Sequence, residues 1–139
     1  MIATTAASVT ADPLRAVIID DDAAIQQSIA ETLMQLGIAV EAFESAKEAF
    51  AAIDRDHPGI IFLDVALLRS DAIDVLRGLG QRRYGGVVQL MSGGRPALLE
   101  AIQRIGVREG IRLGTPLGKP FTRQAIVQSI EALRATDNA

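Results

Sequence analysis

"RAVIIDDD", residues 15–22, runs from an apolar, β-branched stretch straight into three consecutive aspartates. An uninterrupted apolar run of this length reads as a strand buried on both faces, with the acids marking its end. Neighbouring carboxylates repel each other. Three at one strand end are therefore a solvated loop or a place where a cation belongs.

The same grammar recurs along the chain. "IAVEAF" (38–43), "GIIFLD" (59–64) and "GVVQLMS" (86–92) are further apolar runs, and "GIRLGTPLGK" (110–119) is a weaker fifth with two glycines inside it and a proline. The intervals carry helical spacing. Ile25, Ile29, Leu33 and Leu36 share one face, with Asp22 placed to cap that helix and Gly37 to end it. Ala46, Ala49, Phe50 and Ile53 form a second face, and Ile73, Leu76 and Leu79 a third. Leu98, Ile102 and Ile105 follow Pro96, which suits a first helical turn, and Ile126, Ile130 and Leu133 follow Thr122, an expected N-cap.

Strict strand–helix alternation predicts an α/β fold, a flavodoxin-like doubly wound parallel sheet of five strands in the order 2-1-3-4-5 with five helices. The expected organisation is a single domain over 14–134. A disordered N-terminal tail covers 1–13 and a C-terminal tail 135–139. Ligands of such sheets bind beyond the carboxyl ends of the strands.

Composition narrows the function. The chain has 139 residues, 49% of them apolar and 4% aromatic, with a formal charge of −3. No Lys/Arg block is present, so nucleic acid is not the expected ligand. No apolar run approaches the roughly 20 residues that span a bilayer, so no membrane partner is expected. Cysteine is absent and His57 is the single histidine, which excludes thiolate chemistry and multi-histidine metal sites. "MIATTAASVTAD" lacks the charge and apolar core of a signal peptide, and a cytoplasmic location is expected. His57, before Pro58, reads as a surface loop residue.

Strand ends carry the chemistry. The first ends at Asp20-Asp21, the third at Asp64, the fourth at Ser92 and the fifth near Lys119. With the first and third strands adjacent, Asp20, Asp21 and Asp64 meet, and an all-oxygen donor set favours a hard cation such as Mg2+. A hydroxyl and an ammonium beside it suit phosphoryl transfer, where negative charge needs cations and hydrogen-bond donors. Asp64, the lone acid closing an apolar strand, is the expected covalent acceptor.

The chain resembles the receiver domain of two-component response regulators, with a stand-alone, chemotaxis-regulator-like fold. "VIIDDD" matches the acidic pair, "PGIIFLD" the phosphoacceptor strand, "LMSG" the hydroxyl strand and "GKPF" the lysine–proline signature. The resemblance implies that Asp64 takes a phosphoryl group from a sensor histidine kinase or phosphotransfer protein. It implies that Asp21 binds Mg2+ directly, that Asp20 supports it, and that the Ala66 backbone carbonyl is a further ligand. Ser92 and Lys119 would contact the phosphoryl group, and Pro120 would follow a cis bond. The output would be a downstream target protein, or a homodimer, bound through the fourth helix, fifth strand and fifth helix.

Some positions depart from the family pattern. Leu67-Leu68 and Asp71-Ala72 stand where Met-Pro and Asp-Gly are usual, and Pro116 stands where many receivers carry a switching aromatic. The long Ser92–Lys119 segment with "RLGTPLGKPF" is similar to receivers attached to EAL-type cyclic-di-GMP phosphodiesterases. The alternative reading is a degenerate receiver, a phosphorylation-independent protein-interaction scaffold. A dehalogenase-like phosphatase needs an acid where Ala66 stands, and a nucleotide binder needs a glycine-rich loop after the first strand.

Overall fold

The computed structural model describes residues 14–67 and 71–137; the expected tail at 1–13, Leu68 and residues 138–139 lie outside the described residues. The elements are β1 (Arg15–Ile19), α1 (Ala23–Gln35), β2 (Ala39–Phe43), α2 (Ala46–Asp56), β3 (Ile60–Asp64), α3 (Ala72–Gln81), β4 (Val87–Ser92), α4 (Pro96–Arg108), β5 (Arg112–Leu113), β6 (Leu117–Gly118) and α5 (Arg123–Asp137). The last helix therefore runs past residue 134, where a tail was expected to begin.

Every strand pairing is parallel, and the order is β2-β1-β3-β4-β5, with β6 also on β4. The expected order 2-1-3-4-5 is thus the one observed. The pleat explains how one apolar run supplies two cores. Val17 and Ile19 of β1, with Ile61 and Leu63 of β3, join Val75, Leu76 and Leu79 of α3 on one face. Ala16, Ile18, Ile60 and Phe62 face the other way, onto Ile29 and Leu33 of α1 and Ile126 and Ile130 of α5. Each fully buried Ile, Leu or Phe contributes about 1.5–3 kcal/mol by leaving water, which offsets the ordering of the chain.

Local signals act as expected. Asp22 Oδ1 accepts from the backbone N–H of Ala24 at 2.9 Å and of Ile25 at 3.3 Å, opening α1. Asp71 caps α3 through the Ile73 N–H at 2.8 Å, and Thr122 Oγ1 accepts from the Ala125 N–H at 3.1 Å. Gly37 ends α1 at φ +77°, a left-handed conformation that costs a side-chain-bearing residue about 1–2 kcal/mol.

Two strands differ from expectation. β2 is not buried on both faces: all five of its residues are half-buried or exposed, and Glu41 reaches Arg55 at 2.7 Å. Its outer side is the sheet's edge, so its apolar run is covered only in part. The fifth run is not one strand. It pairs with β4 as β5, leaves the ladder after the Gly114 N–H, and returns as β6.

Candidate functional site

The carboxyl ends of β1, β3, β4 and β6 bring together residues far apart in sequence. Asp20 leaves β1 with its N–H bonded to the Phe43 carbonyl at 3.1 Å. Its carbonyl accepts from Gln26 Nε2 at 2.5 Å, its Oδ1 from the Asp22 N–H at 2.9 Å, and its Oδ2 from Lys119 Nζ at 2.7 Å. Asp20 is 1% exposed, so its side chain and carbonyl are fixed from several directions.

Asp64 closes β3 and is 8% exposed. Its Oδ1 accepts from the Ala66 N–H at 3.1 Å, and its Oδ2 lies 3.3 Å from Lys119 Nζ. Asp64 pairs in register with Met91, which places Ser92 one residue further along the neighbouring strand. Ser92 is buried, and its carbonyl accepts the Lys119 N–H at 2.7 Å. The Lys119–Pro120 bond is cis, as the resemblance implied.

Asp20, Asp21 and Asp64 each offer an oxygen within 4.8 Å of the other two. Oxygen-only donors at this separation fit a hard divalent cation. The electrostatics agree with that need. Burial is the largest influence on Asp20 and pushes its carboxyl above the ordinary value, against the Lys119 and Asp22 hydrogen bonds, while the Asp64 charge raises it further. Burial pulls the Lys119 ammonium down, but the Asp20 hydrogen bond and the charges of Asp20 and Asp64 outweigh it and hold the group above the usual lysine value. The pocket is an ammonium shared by two carboxylates with a third beside them. It can accept a cation among the carboxylates, and it holds a positive charge against any anion formed on Asp64.

Every residue expected at the site from strand ends is thus gathered on one edge. Ala66 lies two residues beyond Asp64, with its N–H turned onto that side chain. Pro116 is on the outer edge, away from the carboxylates, among the lining of the groove between the sheet edge and α5. His57 is an exposed helix terminus with φ 48°, outside the set.

Two participants escaped the sequence reading. Gln26, half-buried at the start of α1, holds the Asp20 carbonyl; nothing in "IQQS" marks one of its two glutamines for that bond. Gln89, 2% exposed inside β4, donates through Nε2 to the Thr115 carbonyl. A lone amide within "VVQLM" was the available signal.

Residues 16–131 match the family described as the response regulator receiver domain. Among curated proteins, the chain is 36% identical over 67 residues to the response regulator MprA of Mycolicibacterium vanbaalenii, covering 48% of this chain and 29% of that protein. The MprA of Mycobacterium leprae is 35% identical over 66 residues, with the same coverage of 48% and 29%. The chain thus aligns with under a third of the length of these relatives. Among solved structures, a CheY-like receiver domain protein of Methanospirillum hungatei superposes with TM-score 0.78 at 22% identity, covering 91% of this chain and 98% of that one. A signal receiver domain from Bermanella marisrubri gives TM-score 0.74 at 27% identity, covering 88% and 99%.

Proposed function

We propose, on the premise that this chain belongs to the response regulator receiver family, that Asp64 accepts a phosphoryl group from a sensor histidine kinase or phosphotransfer protein. The observation that carries this reading is the position of Lys119 Nζ, 2.7 Å from Asp20 and 3.3 Å from Asp64. An ammonium there neutralises charge on a modified Asp64.

In the proposed step, an Asp64 carboxylate oxygen bonds to phosphorus as the bond from phosphorus to the donor's histidine nitrogen breaks. The nitrogen keeps that electron pair. Asp21, Asp64 and the Ala66 carbonyl would hold Mg2+, with Asp20 in support. Mg2+ supplies charge neutralisation of the transferring oxygens. Lys119 shifts from Asp64 Oδ2 to a phosphoryl oxygen, and the Ser92 hydroxyl donates to another. Water later cleaves the acyl phosphate, regenerating the Asp64 carboxylate and inorganic phosphate. The chain is then a switch that handles its own phosphoryl group and is not a metabolic enzyme.

Output follows from the added charge. Ser92 and Lys119 share the β4–β6 ladder, so movement of either hydroxyl or ammonium is passed to β6 and to the surface of α4, β5 and α5. That surface would bind a downstream protein or a second copy of the chain, away from nucleic acid and membranes. No helix among the described residues is long and apolar enough to cross a membrane.

The test is intact mass after incubation with Mg2+ and acetyl phosphate. Addition of a single phosphoryl group, absent in Asp64→Asn and blocked by EDTA, is the expected result. No addition under these conditions overturns the reading and leaves the phosphorylation-independent scaffold.

A further inference from the structure

The outer edge of the sheet contains one residue too many. Val88 of β4 pairs with Leu113, and Met91 pairs with Leu117. Three steps along β4 are therefore matched by four along its partner. The excess is absorbed as a bulge over Gly114, Thr115 and Pro116, which leaves a backbone carbonyl off the ladder. Gln89 supplies the missing donor: its Nε2 bonds to the Thr115 carbonyl. The fit is close enough that a Cβ on Gly114 would strike Gln89 Oε1, so any larger residue there would displace the Gln89 amide. The Gly114 N–H meanwhile stays on the Val88 carbonyl at 3.0 Å.

We infer that Gln89 is a positioning residue for Lys119, acting by fixing this bulge and hence the register of β6 on β4. The inference rests on the phosphoacceptor reading only for its kinetic consequence. Lys119 follows β6 directly, and its N–H bonds to the Ser92 carbonyl at 2.7 Å. Side chains alternate along a strand, so a slip of one residue turns Lys119 away from Asp20 and Asp64. Gln89 touches neither the carboxylates nor the ammonium. It determines which residue of the edge segment arrives opposite Ser92. A buried amide in an otherwise apolar strand costs free energy unless bonded, which also explains why the unbulged arrangement is disfavoured for this sequence.

The test uses Gln89→Leu in the full chain. Lys47 and Lys119 are the only lysines, and Lys47 is exposed, so it serves as an internal standard. Trace acylation with acetic anhydride, read by peptide mass spectrometry, is expected to show the Lys119-to-Lys47 ratio rising several-fold in Gln89→Leu. Phosphoryl addition from acetyl phosphate falls toward the Lys119→Met rate, and Gln89→Leu/Lys119→Met is no slower than Lys119→Met alone. A companion variant, Gln89→Leu with Thr115 deleted, removes the extra residue and returns both readouts toward wild type. An unchanged labelling ratio, a double variant slower than Lys119→Met, or a companion that recovers neither readout overturns the inference. If Gln89→Leu does not fold, the companion decides: folding with a wild-type ratio supports the inference, and failure to fold overturns it. If the wild-type chain takes up no phosphoryl group, the functional reading fails, and the labelling arm still decides the role of Gln89.

Discussion

Lys119 and Asp20 stand 99 residues apart in sequence and 2.7 Å apart in space, with the Asp20 side chain 1% and the Lys119 side chain 18% exposed. The last strand is thereby tied to the first across the whole sheet edge. Removing the cation leaves two buried carboxylates beside a third.

Lys119→Met is accordingly expected to destabilise the metal-free protein by roughly 1.5–3 kcal/mol, the range for a lost hydrogen bond to a charged group. Chemical denaturation with and without Mg2+ checks this, and Mg2+ is expected to recover much of the loss by supplying another positive charge. The same variant is expected to slow phosphoryl addition about 10²–10³-fold, as removal of a preorganised charge contact does.

Ser92→Ala isolates the hydroxyl. Phosphoryl addition is expected to slow roughly 10- to 100-fold, because a hydrogen bond to a charged group is worth about 1.5–3 kcal/mol. Mg2+ affinity, measured by titration calorimetry, is expected to stay unchanged, since Ser92 lies outside the carboxylate cluster. A parallel loss of Mg2+ affinity would show that Ser92 supports the cation pocket instead.

The response to pH follows from Asp20. Its carboxyl sits above the ordinary 3.8 in the folded chain, chiefly through burial. The stabilisation associated with that shift is present below 3.8 and is lost as pH rises through the folded value. Above it the ionised carboxylate is the form that calls for a cation, and below it a proton competes with Mg2+. Stabilisation by Mg2+, about 2.7 kcal/mol at 100 times Kd, is expected to shrink on acidification from neutral pH. Melting curves at several pH values check this, and Asp20→Asn is expected to flatten the dependence.

Gly78→Ala tests packing away from the site. Alanine favours a helix by about 1 kcal/mol over glycine, yet a Cβ at this point of α3 would meet the Phe50 ring, over which Arg82 also sits at 4.2 Å. Overpacking costs typically 1–3 kcal/mol, so the variant is expected to be less stable by denaturant titration, with phosphoryl addition unchanged.

The legible part of this molecule was its strand ends. Asp20, Asp64, Ser92 and Lys119 each follow an apolar run, and parallel winding sends all such ends to one edge. Caps such as Asp22 and Thr122 were legible because they act within one helical turn. The exposure of β2 was legible only in part: the expected order already set that strand at the border, but the reading of "IAVEAF" as an apolar run passes over Glu41, which interrupts it. The interruption of the fifth strand escaped for a different reason. "RLGTPLG" shows breakers, but the number of residues that pair is set by β4, and the amide that accommodates the excess lies on that partner. Gln26 reaches back six residues to the Asp20 carbonyl across the β1–α1 turn, and the sequence does not say which of the adjacent Gln26 and Gln27 does so.

The bulge has one more effect. An open sheet border with free N–H and C=O groups invites another chain to add itself as a strand. Here that border is two residues, a kink, and two residues, and the kink contains Pro116, which has no N–H to offer. Copies of this protein crowded together are therefore denied a continuous ladder on that side. Any association there must be built from side chains, which can be made reversible, rather than from backbone, which propagates.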